Sequence, residues 1–501
     1  MKKRLTLLLL IISGLTNAQV AITEKDVDFN VRIVADKLSD PWSIAIAPDH
    51  HIWATEAKGY KVLRIDPASG KKQVLLDLNA MKNFPRYDQI PDSVDHAKPW
   101  PQGGLMGMAV HPALLTGKPY VFLAYVYHFD GAESSNDGGL PDAKGYHFQI
   151  RLVRYTYDQL AAKLISPVVM CDSIPGSSDH NGGRLMIAPY GDKDYLFYSA
   201  GDMGAGQFAN GGRINKAQDV NSYEGKILRF NAEPDTDAAI YDKWIPNDNP
   251  FNDRRQNAVW SVGHRNPQGL AAAVISGQQM LYSTEHGPYS DDEINLIEKG
   301  HNYGHPLVIG YDDGNYDGLA ASVSANKALP GLWHTTYPLI TSEKQNAEAI
   351  GEKYHNPIVS LDPTSKIILE RLFKSVITSD KKDQEWNSYA PSGIAVYTST
   401  AIPGWKNSLL IPTLKGGALL RIKLDTSGKK AASNIYTYIK GNVRYRDIAV
   451  SADGKKIYLA VDSSAVTSGP SKENPQKISY RGCIIELSYK GIFREPAKTE
   501  E

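Results

Sequence analysis

Two stretches of the sequence place a cation, an amide and acidic residues beside glycine and proline turns. Residues 263–269 read Gly-His-Arg-Asn-Pro-Gln-Gly, and residues 285–296 read Glu-His-Gly-Pro-Tyr-Ser-Asp-Asp-Glu-Ile-Asn-Leu. Surface turns rarely need this mixture, whereas a site that holds an anionic ligand and a hard metal ion needs all of it. Arg265 and Asn266 are therefore candidate ligand contacts, and Gly287 and Pro288 open a candidate calcium segment.

A histidine lies in a second glycine-rich stretch, at residues 177–185. His180 is a candidate general base, because imidazole titrates near neutral pH and needs only hydrogen-bond reach of a substrate hydroxyl. We expect Asp179 to orient it. The alternative is a solvated turn histidine, but His180 precedes an apolar segment that is expected to point it into a ligand channel.

Gln102 and Gly103 open another apolar segment, just as Arg265 and Asn266 open theirs. A loop glutamine is most often part of the polar surface. An arginine at the start of a buried strand is a stronger candidate, because a channel-facing cation without an anion is unfavourable.

Three further cations lie closer to the C-terminus. Lys415 precedes two glycines, and Arg444 and Arg446 flank a tyrosine. The two arginines are two positions apart, so in an extended segment their side chains point the same way. Together with Arg265, these cations predict a site for a small molecule with several carboxylates or phosphates. A set of salt-bridged rim residues is the alternative.

Acidic residues and carbonyls suited to Ca²⁺ occur in residues 287–293 and again in residues 311–314, Tyr-Asp-Asp-Gly. Neither run has the alternating acids of an EF-hand loop, so a calcium site here must combine backbone oxygens with scattered carboxylates. The sequence contains no Walker-type loop, dinucleotide fingerprint or His-Glu-x-x-His zinc motif.

Short apolar runs bounded by Gly, Pro, Asn and Asp recur along the chain, and helical periodicity is scarce, which predicts an all-β fold. Two interleaved series of segments occur six times each, which predicts a six-bladed β-propeller of four-stranded antiparallel blades. The first series is Ser43 to Pro48, Met106 to Pro112, Arg184 to Pro189, Gln268 to Val274, Ser392 to Thr398 and Arg446 to Gly454. The second series is Lys61 to Ile65, Arg151 to Tyr155, Lys226 to Phe230, Glu293 to Leu296, Ala418 to Ile422 and Cys483 to Leu487.

Long insertions near residues 80–100, 126–148, 203–222 and 312–390 are rich in Gly, Asn, Asp and Tyr, which is typical of loops. The inner strands of a propeller start near a central channel, so the residues that open the first series are expected to line it. We expect one propeller domain over residues 19–490 and a polar tail over residues 491–501.

Residues 1–18 have the pattern of a secretory signal peptide, with basic residues, an apolar run and a cleavage site between Ala18 and Gln19. The apolar run is too short to span a bilayer, so we expect a soluble periplasmic or secreted protein without an integral membrane segment. The 55 basic and 55 acidic residues balance, which argues against a nucleic-acid partner or an anionic membrane surface. Cys171 and Cys483 could pair or remain buried thiols.

As a set, these motifs resemble those of the soluble quinoprotein glucose dehydrogenases and aldose sugar dehydrogenases, which use pyrroloquinoline quinone (PQQ) with calcium. The resemblance extends from Val31 to Tyr489. It rests on Gln102-Gly-Gly-Leu-Met-Gly, Asp179-His-Asn-Gly-Gly-Arg-Leu, Gly263-His-Arg-Asn-Pro-Gln-Gly-Leu, Gly287-Pro-Tyr-Ser-Asp-Asp-Glu-Ile-Asn-Leu-Ile, Leu414-Lys-Gly-Gly and Arg444-Tyr-Arg-Asp.

The resemblance implies a six-bladed propeller whose cofactor lies flat over the channel mouth. It implies that His180 takes the proton of the sugar's anomeric hydroxyl while hydride passes to the quinone, and that Gln102, Asp179 and Arg265 position sugar and base. The implied cofactor contacts are Arg265, Asn266, Lys415, Arg444, Arg446, Ser388 and Trp386. The implied calcium ligands are the carbonyls of Gly287 and Pro288 for an active ion, and Glu293, the carbonyls of Tyr303 and Ile309, Asp313 and Glu343 for a structural ion.

Three positions depart from the glucose enzymes: His286 replaces Gln, Phe208 replaces Leu, and Asp383 replaces a pocket Tyr. The small disulfide loop before Trp386 is also absent. Because the cofactor residues match while the sugar-facing wall differs, the sequence predicts an aldose substrate rather than glucose specifically. The resemblance further implies oxidation to a lactone, a soluble electron acceptor and a homodimer. A calcium-dependent propeller lactonase and a non-catalytic sugar-binding propeller stay open as alternatives.

Overall fold

The computed structural model describes residues 26–84, 101–133, 145–236, 242–253, 255–380, 384, 386–463 and 478–492. Within these residues the strands form six four-stranded antiparallel sheets. Five sheets take their strands in chain order, and the sixth combines the last three strands with the first. The predicted six-bladed β-propeller is confirmed.

The strands of the described residues are β1 (Val27–Ala35), then blade 1 with β2 (Pro41–Ile46), β3 (Ile52–Glu56), β4 (Lys61–Ile65) and β5 (Lys72–Asp77), blade 2 with β6 (Leu105–Val110), β7 (Tyr120–Glu133), β8 (Gly145–Asp158) and β9 (Lys163–Gly176), blade 3 with β10 (Leu185–Tyr190), β11 (Lys193–Ala200), β12 (Lys226–Asn231) and β13 (Val259–Val262), blade 4 with β14 (Pro267–Ile275), β15 (Gln278–Glu285), β16 (Asp292–Leu296) and β17 (Val359–Leu361), blade 5 with β18 (Ala395–Tyr397), β19 (Ser408–Pro412), β20 (Leu419–Leu424) and β21 (Ala431–Tyr438), and blade 6 with β22 (Tyr445–Val450), β23 (Lys456–Val461), β24 (Ile484–Ile492) and β1.

The two predicted series of segments correspond to two strands of each blade. The first series forms the inner strands, and the second series forms the third strands. Each inner strand contacts the inner strand of the next blade, and the inner strand of blade 6 contacts that of blade 1. The inner strands therefore form a closed ring around the channel.

Apolar faces of neighbouring blades pack against each other to form the core. Trp53 in β3 is completely buried, and its ring lies 4.9 Å from the Tyr157 ring in β8, edge to face. Such aromatic and β-branched side chains suit a pleated surface that is covered by the next sheet. Blade-to-blade burial therefore holds the ring together.

A buried carboxylate ties four blades together at the channel. Asp447 on β22 accepts hydrogen bonds from Arg184 Nη1 and from the Ile44 backbone N–H, both at 2.7 Å. Arg184, which precedes β10, also donates from Nε to the Gln268 carbonyl at 3.1 Å. Residues at the start of the inner strands therefore line the channel, as predicted.

The sixth blade is completed by the N-terminal strand. β1 pairs antiparallel with β24, and Val31 lies opposite Leu487. Arg32 crosses this pairing with two hydrogen bonds to Glu486, from Nε at 3.0 Å and from Nη2 at 2.7 Å. An early strand and a late strand therefore close the ring.

The predicted insertions contain more regular structure than loops would. Residues 126–133 and 145–148 extend β7 and β8 into a long hairpin, because Phe129 and Phe148 pair across the two strands. The 312–390 insertion contains α1 (Glu343–Ile350), α2 (Lys366–Ile377) and β17. Short 3₁₀ helices occur at Asn79–Met81, Phe208–Asn210 and Gly351–Lys353.

The two cysteines are free thiols, which settles the pairing left open by the sequence. Cys171 lies in blade 2 and Cys483 precedes β24 in blade 6, and burial raises the pKa of both thiols. In the described part of the chain, no helix has the length and hydropathy of a membrane span. The predicted signal peptide and Asp383 lie outside the described residues, and β24 reaches two residues into the predicted tail.

Candidate active site at the channel mouth

His180 lies in the turn before β10, with its backbone in the left-handed region at a φ of 51°. The turn packs directly on the end of β11, where a Cβ on Gly201 would clash with the His180 carbonyl oxygen. This close approach places His180 Nδ1 2.7 Å from Oδ1 of Asp202, a completely buried residue that follows β11. The imidazole is therefore held by a carboxylate from the neighbouring strand.

Asp202 also binds three side chains besides His180. Its Oδ2 accepts from His305 Nε2, the Tyr337 hydroxyl and the Asn215 amide, each at 2.9 Å. Burial raises the pKa of the Asp202 carboxyl, but the positive charges and hydrogen bonds of the two imidazoles outweigh burial and hold the pKa below its ordinary value. The ionised carboxylate accepts the His180 Nδ1 proton, which leaves Nε2 as the acceptor.

The orienting role predicted for Asp179 belongs to Asp202. Asp179 Oδ2 lies 3.5 Å from Asn210 Nδ2. Consecutive side chains in a turn diverge, whereas the antiparallel pairing of β10 and β11 brings Asp202 across to His180. A contact between Asp179 and the sugar stays a prediction.

Two glutamines flank the imidazole. Gln207 Nε2 donates to His180 Nε2 at 2.8 Å, and Gln207 Oε1 accepts from Arg265 Nη2 at 2.7 Å. Gln102 Oε1 accepts the Asn181 backbone N–H at 2.9 Å, and the Asn181 side chain donates to the Gln102 carbonyl at 2.8 Å. The predicted Gln102 therefore lies beside the base, and Gln207 links the base to a cation.

Arg265 lies against the segment predicted to bind calcium. Its Nη1 donates to the carbonyls of His286 at 3.1 Å and Gly287 at 2.9 Å, and its backbone N–H donates to the Glu285 carboxylate. Arg265 Nε is buried and has no hydrogen-bond partner among the described residues. A buried donor without an acceptor is unfavourable, so this nitrogen is suited to a ligand oxygen.

A directional chain of hydrogen bonds runs from blade 6 to blade 5. Arg446 Nη1 donates to Gln268 Oε1 at 2.8 Å, and Gln268 Nε2 donates to Asn266 Oδ1 at 3.0 Å. Asn266 Nδ2 lies 3.4 Å from His286 Nδ1, and His286 Nε2 lies 3.0 Å from the Pro391 carbonyl. Because a carbonyl only accepts, the Nε2 proton belongs to His286 and its Nδ1 accepts.

His286 lies within the electrostatic reach of the residues predicted to form the site. Burial, and then the positive charges of Arg265, His180 and Arg446, lower the pKa of His286 well below its ordinary value. The imidazole is therefore neutral. Residues from blades 3, 4 and 6 are close enough to act on one side chain, so the structure brings them together.

Arg444 and Arg446 share one carboxylate. Arg446 Nε and Nη2 donate to the two oxygens of Asp462 at 2.8 Å each, and Arg444 Nε lies 3.4 Å from Oδ2 of the same residue. The Arg446 guanidinium also lies 4.2 Å from the centroid of the Trp42 ring. Burial lowers the pKa of Arg444, against the opposing effect of Asp462. Two buried guanidinium groups side by side suit a ligand that carries carboxylate or phosphate groups.

Lys415, Trp386 and Ser388 form a second group beside the calcium segment. Lys415 Nζ donates to the Trp386 carbonyl at 2.6 Å and lies 4.4 Å from the centroid of the Trp386 ring. Ser388 Oγ donates to Asp292 Oδ2 at 2.7 Å, while Asp292 Oδ1 accepts from the Gly287 N–H at 3.0 Å. Burial raises the pKa of Asp292 to about 6. Asp292 therefore fixes both the Gly287 turn and the Ser388 loop.

The predicted ligands of the structural calcium ion include the buried acids Glu293 and Glu343, and a third buried acid, Asp291, acts on both. Burial, and then the charge of Glu285, raise the pKa of Glu293 well above its ordinary value. Burial is the largest cause of the rise in the pKa of Glu343 to about 8, and the charge of Asp291 contributes to both shifts. Asp313 adds to the repulsion on Glu343. Glu343 Oε1 accepts from the Ile309 N–H at 2.8 Å. A cation would relieve this repulsion, so the donor set fits calcium.

Among the described residues, no three His, Cys, Asp or Glu side chains are grouped as a metal site. The predicted calcium ligands also include backbone carbonyls, those of Gly287, Pro288, Tyr303 and Ile309. Both calcium sites stay predictions.

Three contact residues escaped the sequence analysis, although their position carries a signal. Asp462 directly follows the second strand β23, Asp202 lies two residues after the second strand β11, and Glu285 ends the second strand β15. The end of a second strand faces the turn that opens the inner strand of the same blade. An acid at that position therefore predicts a partner for a residue in the turn. Gln207 lies in an insertion and had no such signal.

The fold is a six-bladed β-propeller, and its site places an oriented imidazole beside a group of cations. Together they define an enzyme with a β-propeller fold. The sequence profile of the glucose/sorbosone dehydrogenase family matches residues 38–341 and 378–467. The chain is 32% identical to quinoprotein glucose dehydrogenase B of Acinetobacter calcoaceticus, over 95% of this chain and 94% of that protein. The chain belongs to the glucose/sorbosone dehydrogenase family.

Other relatives agree with this assignment. The chain is 26% identical to an aldose sugar dehydrogenase of Escherichia coli (strain K12), over 87% of this chain and 91% of that protein. The PQQ-bound aldose sugar dehydrogenase of Streptomyces coelicolor has the same fold, with a TM-score of 0.56 at 23% identity over 93% of this chain and 100% of that chain. The predicted membership in the quinoprotein sugar dehydrogenases, and with it an oxidoreductase, is confirmed.

Proposed function

We propose that this protein is a PQQ- and calcium-dependent dehydrogenase that oxidises aldose sugars at C1 to lactones. The observation that carries the proposal is the arrangement of His180: Nδ1 is bound by Asp202, and Nε2 is an acceptor 2.8 Å from an amide that Arg265 also holds. An acceptor nitrogen beside a cation is what proton removal from an anomeric hydroxyl needs.

The residues at the channel mouth fit an acidic quinone cofactor such as the PQQ named in the Streptomyces structure. Arg265 Nε lacks a hydrogen-bond partner among the described residues, and Arg444 and Arg446 bring two buried guanidinium groups to the carboxylate of Asp462. These groups, with Lys415, would hold the cofactor's carboxylates and oxygens, while Asn266, Ser388 and Trp386 would add polar and aromatic contacts. A quinone held by these residues would supply the hydride acceptor for oxidation at C1.

Residues of the chain itself would handle the proton. His180 Nε2 accepts the proton of the C1 hydroxyl, and Asp202 stabilises the imidazolium that forms. Gln207 must release Nε2 for the hydroxyl to approach, and its amide is then free to contact the sugar. Gln102 and Asp179 would position the sugar ring. Arg265 would stabilise the charge that develops on the C1 oxygen.

Calcium would bind at two places. A carbonyl oxygen has two lone pairs, so Gly287 can accept from Arg265 and still, with the Pro288 carbonyl, hold an active calcium ion. The structural ion would be held by Glu293, the carbonyls of Tyr303 and Ile309, Asp313 and Glu343.

The cellular location, the electron acceptor, the oligomeric state and the substrate class are also part of the proposed function. The signal-like residues 1–18 support a periplasmic or secreted enzyme, which would pass electrons to a soluble acceptor and act as a homodimer. Phe208, which is exposed, and His286 differ from the residues expected in the glucose enzymes, so the proposed substrate class is the aldoses rather than glucose specifically.

Reconstitution tests the proposal. The protein is mixed with PQQ and Ca²⁺, and dye reduction and the absorption of the reduced quinone are followed with a panel of aldoses. We expect at least one aldose to reduce the bound quinone, and a His180→Asn variant to bind quinone normally but to lose reduction. Asp425→Asn, on an exposed loop of blade 5, is the matched control and should behave as the wild type. Failure of every aldose to reduce bound quinone would refute the proposal.

A lactonase would respond differently to a change at the cation group. Lys415→Ala is expected to weaken quinone binding and thereby dye reduction, because it removes one cation from the proposed cofactor site. Hydrolysis of a lactone by a calcium-dependent propeller lactonase has no use for this lysine. Lactone hydrolysis that is unaffected by Lys415→Ala, without dye reduction, would favour the hydrolase.

A further inference from the structure

A second histidine binds the carboxylate that holds His180. The Nε2 atom of His305 lies 2.9 Å from Oδ2 of Asp202, while Oδ1 of Asp202 binds His180 Nδ1 at 2.7 Å. Asp202 therefore bridges two imidazoles, one on each carboxylate oxygen. His180 precedes β10 of blade 3, whereas His305 follows β16 of blade 4, so the fold brings the two rings to Asp202 separately.

The backbone and the ring of His305 are both held in place. The His305 N–H donates to the Gly263 carbonyl at 3.0 Å, and the His305 carbonyl accepts from Gln218 Nε2 at 2.7 Å. The imidazole lies 5.6 Å from the Tyr337 ring in an edge-to-face contact, and the residue is only 3% exposed. The folded chain therefore fixes the contact between His305 and Asp202 before any ligand binds.

The position of the proton on His305 follows from its surroundings. Nε2 faces an ionised carboxylate, which can only accept, so Nε2 carries a proton. Nδ1 is buried and has no hydrogen-bond partner in the described part of the chain. A second proton on Nδ1 would be a buried donor without an acceptor, which is unfavourable. His305 is therefore a neutral donor to Asp202.

The Asp202 carboxylate is fully occupied by hydrogen-bond donors. Its five donors are His180 and the Gly204 N–H on Oδ1, and His305, Tyr337 and Asn215 on Oδ2. An ionised carboxylate has about four lone-pair sites, so no acceptor capacity is left over. Each donor takes up part of the negative charge of the carboxylate. The donors on Oδ2 therefore weaken the attraction of Asp202 for a second proton on His180.

We propose that His305 is a positioning residue for the base: it holds Asp202 and takes up part of its charge, so that His180 stays unprotonated and able to accept a proton from a sugar hydroxyl. The inference rests on the proposed function, because His305 acts through His180. Without His305, more of the Asp202 charge would act on His180 and favour the imidazolium form, which cannot serve as a base.

Other charged and titratable groups also act on these residues. Arg265 and Glu285 act on His305, Tyr337 and Lys226 interact with Asp202, and His286 interacts with His180. All of them are retained when His305 alone is replaced. A change in the protonation of His180 in such a variant therefore reports the loss of the His305 donor.

NMR of the histidine rings in the full-length, quinone-free protein tests the proposal. The His180 and His305 signals are assigned from the spectra of His180→Asn and His305→Phe. His305→Phe keeps a ring but removes the donor, so the pH midpoint of the His180 titration is expected to rise by about half to one pH unit. His305→Gln keeps an N–H donor near the position of Nε2 and should restore the wild-type midpoint. No rise in His305→Phe, or the same rise in His305→Gln, would overturn the proposal.

The wild-type protein supplies a second measurement that needs no folded His305 variant. Nε2 of His305 should keep its proton while His180 titrates, and its chemical shift should change with the same midpoint, because the two rings share one carboxylate. An Nε2 without a proton, or a chemical shift that does not follow the His180 titration, contradicts the assigned role.

Kinetics of the reconstituted enzyme separate this role from a purely structural one. The kcat/KM of His305→Phe should be about three- to tenfold below that of the wild type on the acid side of the pH profile and similar on the alkaline side. A loss by the same factor at every pH would instead show that His305 only supports the fold. The NMR titration uses neither quinone nor sugar, so it decides the role of His305 even if no aldose is oxidised, a result that would refute only the proposed function.

Discussion

At the scale of single residues, Asp202 determines what His180 can do. One buried negative charge is shared by two imidazoles, a phenol and an amide, so the carboxylate cannot rotate without breaking several hydrogen bonds. This fixes the proton of His180 on Nδ1 and leaves Nε2 free to accept a proton. The neighbouring amide of Gln207 marks where a hydroxyl would bind.

Replacement of Asp202 by Asn should therefore impair catalysis more than binding. The amide can donate to Nδ1 and reverse the tautomer, so kcat for aldose oxidation is expected to fall by about 10²- to 10⁴-fold. Quinone affinity, measured by absorption titration, should change little. Asp179→Asn is the matched comparison from the same turn, and it should affect KM more than kcat. Equal losses of kcat in both variants would contradict the assigned positions.

Sequence patterns could identify His180, Arg265 and Lys415, because each lies close to glycines or a proline at the start or end of a buried strand. Arg446 was identified by its two-residue spacing from Arg444. These patterns could not select Asp202 over Asp179, because that choice depends on which strand lies opposite. Chain neighbours are visible in a sequence, whereas a partner 22 residues away across an antiparallel pair is not.

At the scale of secondary-structure elements, the pairing of β1 with β24 depends on one buried carboxylate. Glu486 accepts two of the hydrogen bonds that Arg32 donates, and the Glu486 side chain is 2% exposed. Burial raises the pKa of Glu486, but the hydrogen bonds and charge of Arg32 and the hydroxyls of Ser488 and Tyr458 outweigh it and lower the pKa to about 2. The ionised form therefore stabilises the closed ring.

Loss of this carboxylate should weaken ring closure. Glu486→Gln is expected to lower the free energy of unfolding by about 1–3 kcal/mol, measured by chemical denaturation. Because the folded pKa lies below the unfolded one, the contribution of Glu486 is present above its unfolded pKa and is lost as pH falls towards 2. The stability of the variant should thus depend less on pH in that range.

The control for this prediction comes from the same two strands. Lys490 lies 3.6 Å from Asp28, and both side chains are more than 40% exposed. Lys490→Met should change the free energy of unfolding by less than about 1 kcal/mol. A similar loss in both variants would show that Glu486 has no special part in ring closure.

The repeat pattern was sufficient to predict the blades but not the insertions. Inner and third strands recur with similar apolar content, so counting them gives six blades. The extension of β7 and β8, and the helices α1 and α2, were not predicted. The α2 sequence did carry a signal, because its apolar residues recur at spacings of three and four. Leu369, Leu372 and Phe373 of α2, for example, are buried.

At the scale of the whole molecule, the proposed structural calcium ion would link stability to the buried acid Glu343, which lies between β16 and β17. Burial raises the pKa of Glu343 to about 8, so without a cation the folded state holds a proton that the unfolded chain would release above its ordinary pKa. The stability of the calcium-free protein should therefore fall as pH rises from about 5 to 8. Calcium would replace the proton and cancel this loss.

Removal of calcium tests this coupling in the quinone-free protein. EDTA is expected to lower the Tm at pH 8 more than at pH 6, and saturating Ca²⁺ should add a few kcal/mol, about 2.7 at a hundredfold excess over its Kd. In Glu343→Gln, the Tm difference between the two pH values should shrink. A Tm that does not change on addition of EDTA at either pH would refute the structural calcium site.

The ring closure also sets an order of assembly. Arg32 and Glu486, which meet across β1 and β24, are 454 residues apart in the chain. During synthesis the edge of β1 has no pairing partner until β24 has been made. Although β1 is made before the other described strands, it therefore pairs last. Such a distant pairing folds slowly and leaves an open strand edge that other chains could capture. The yield of native protein is therefore expected to depend on how quickly the last blade reaches the first strand.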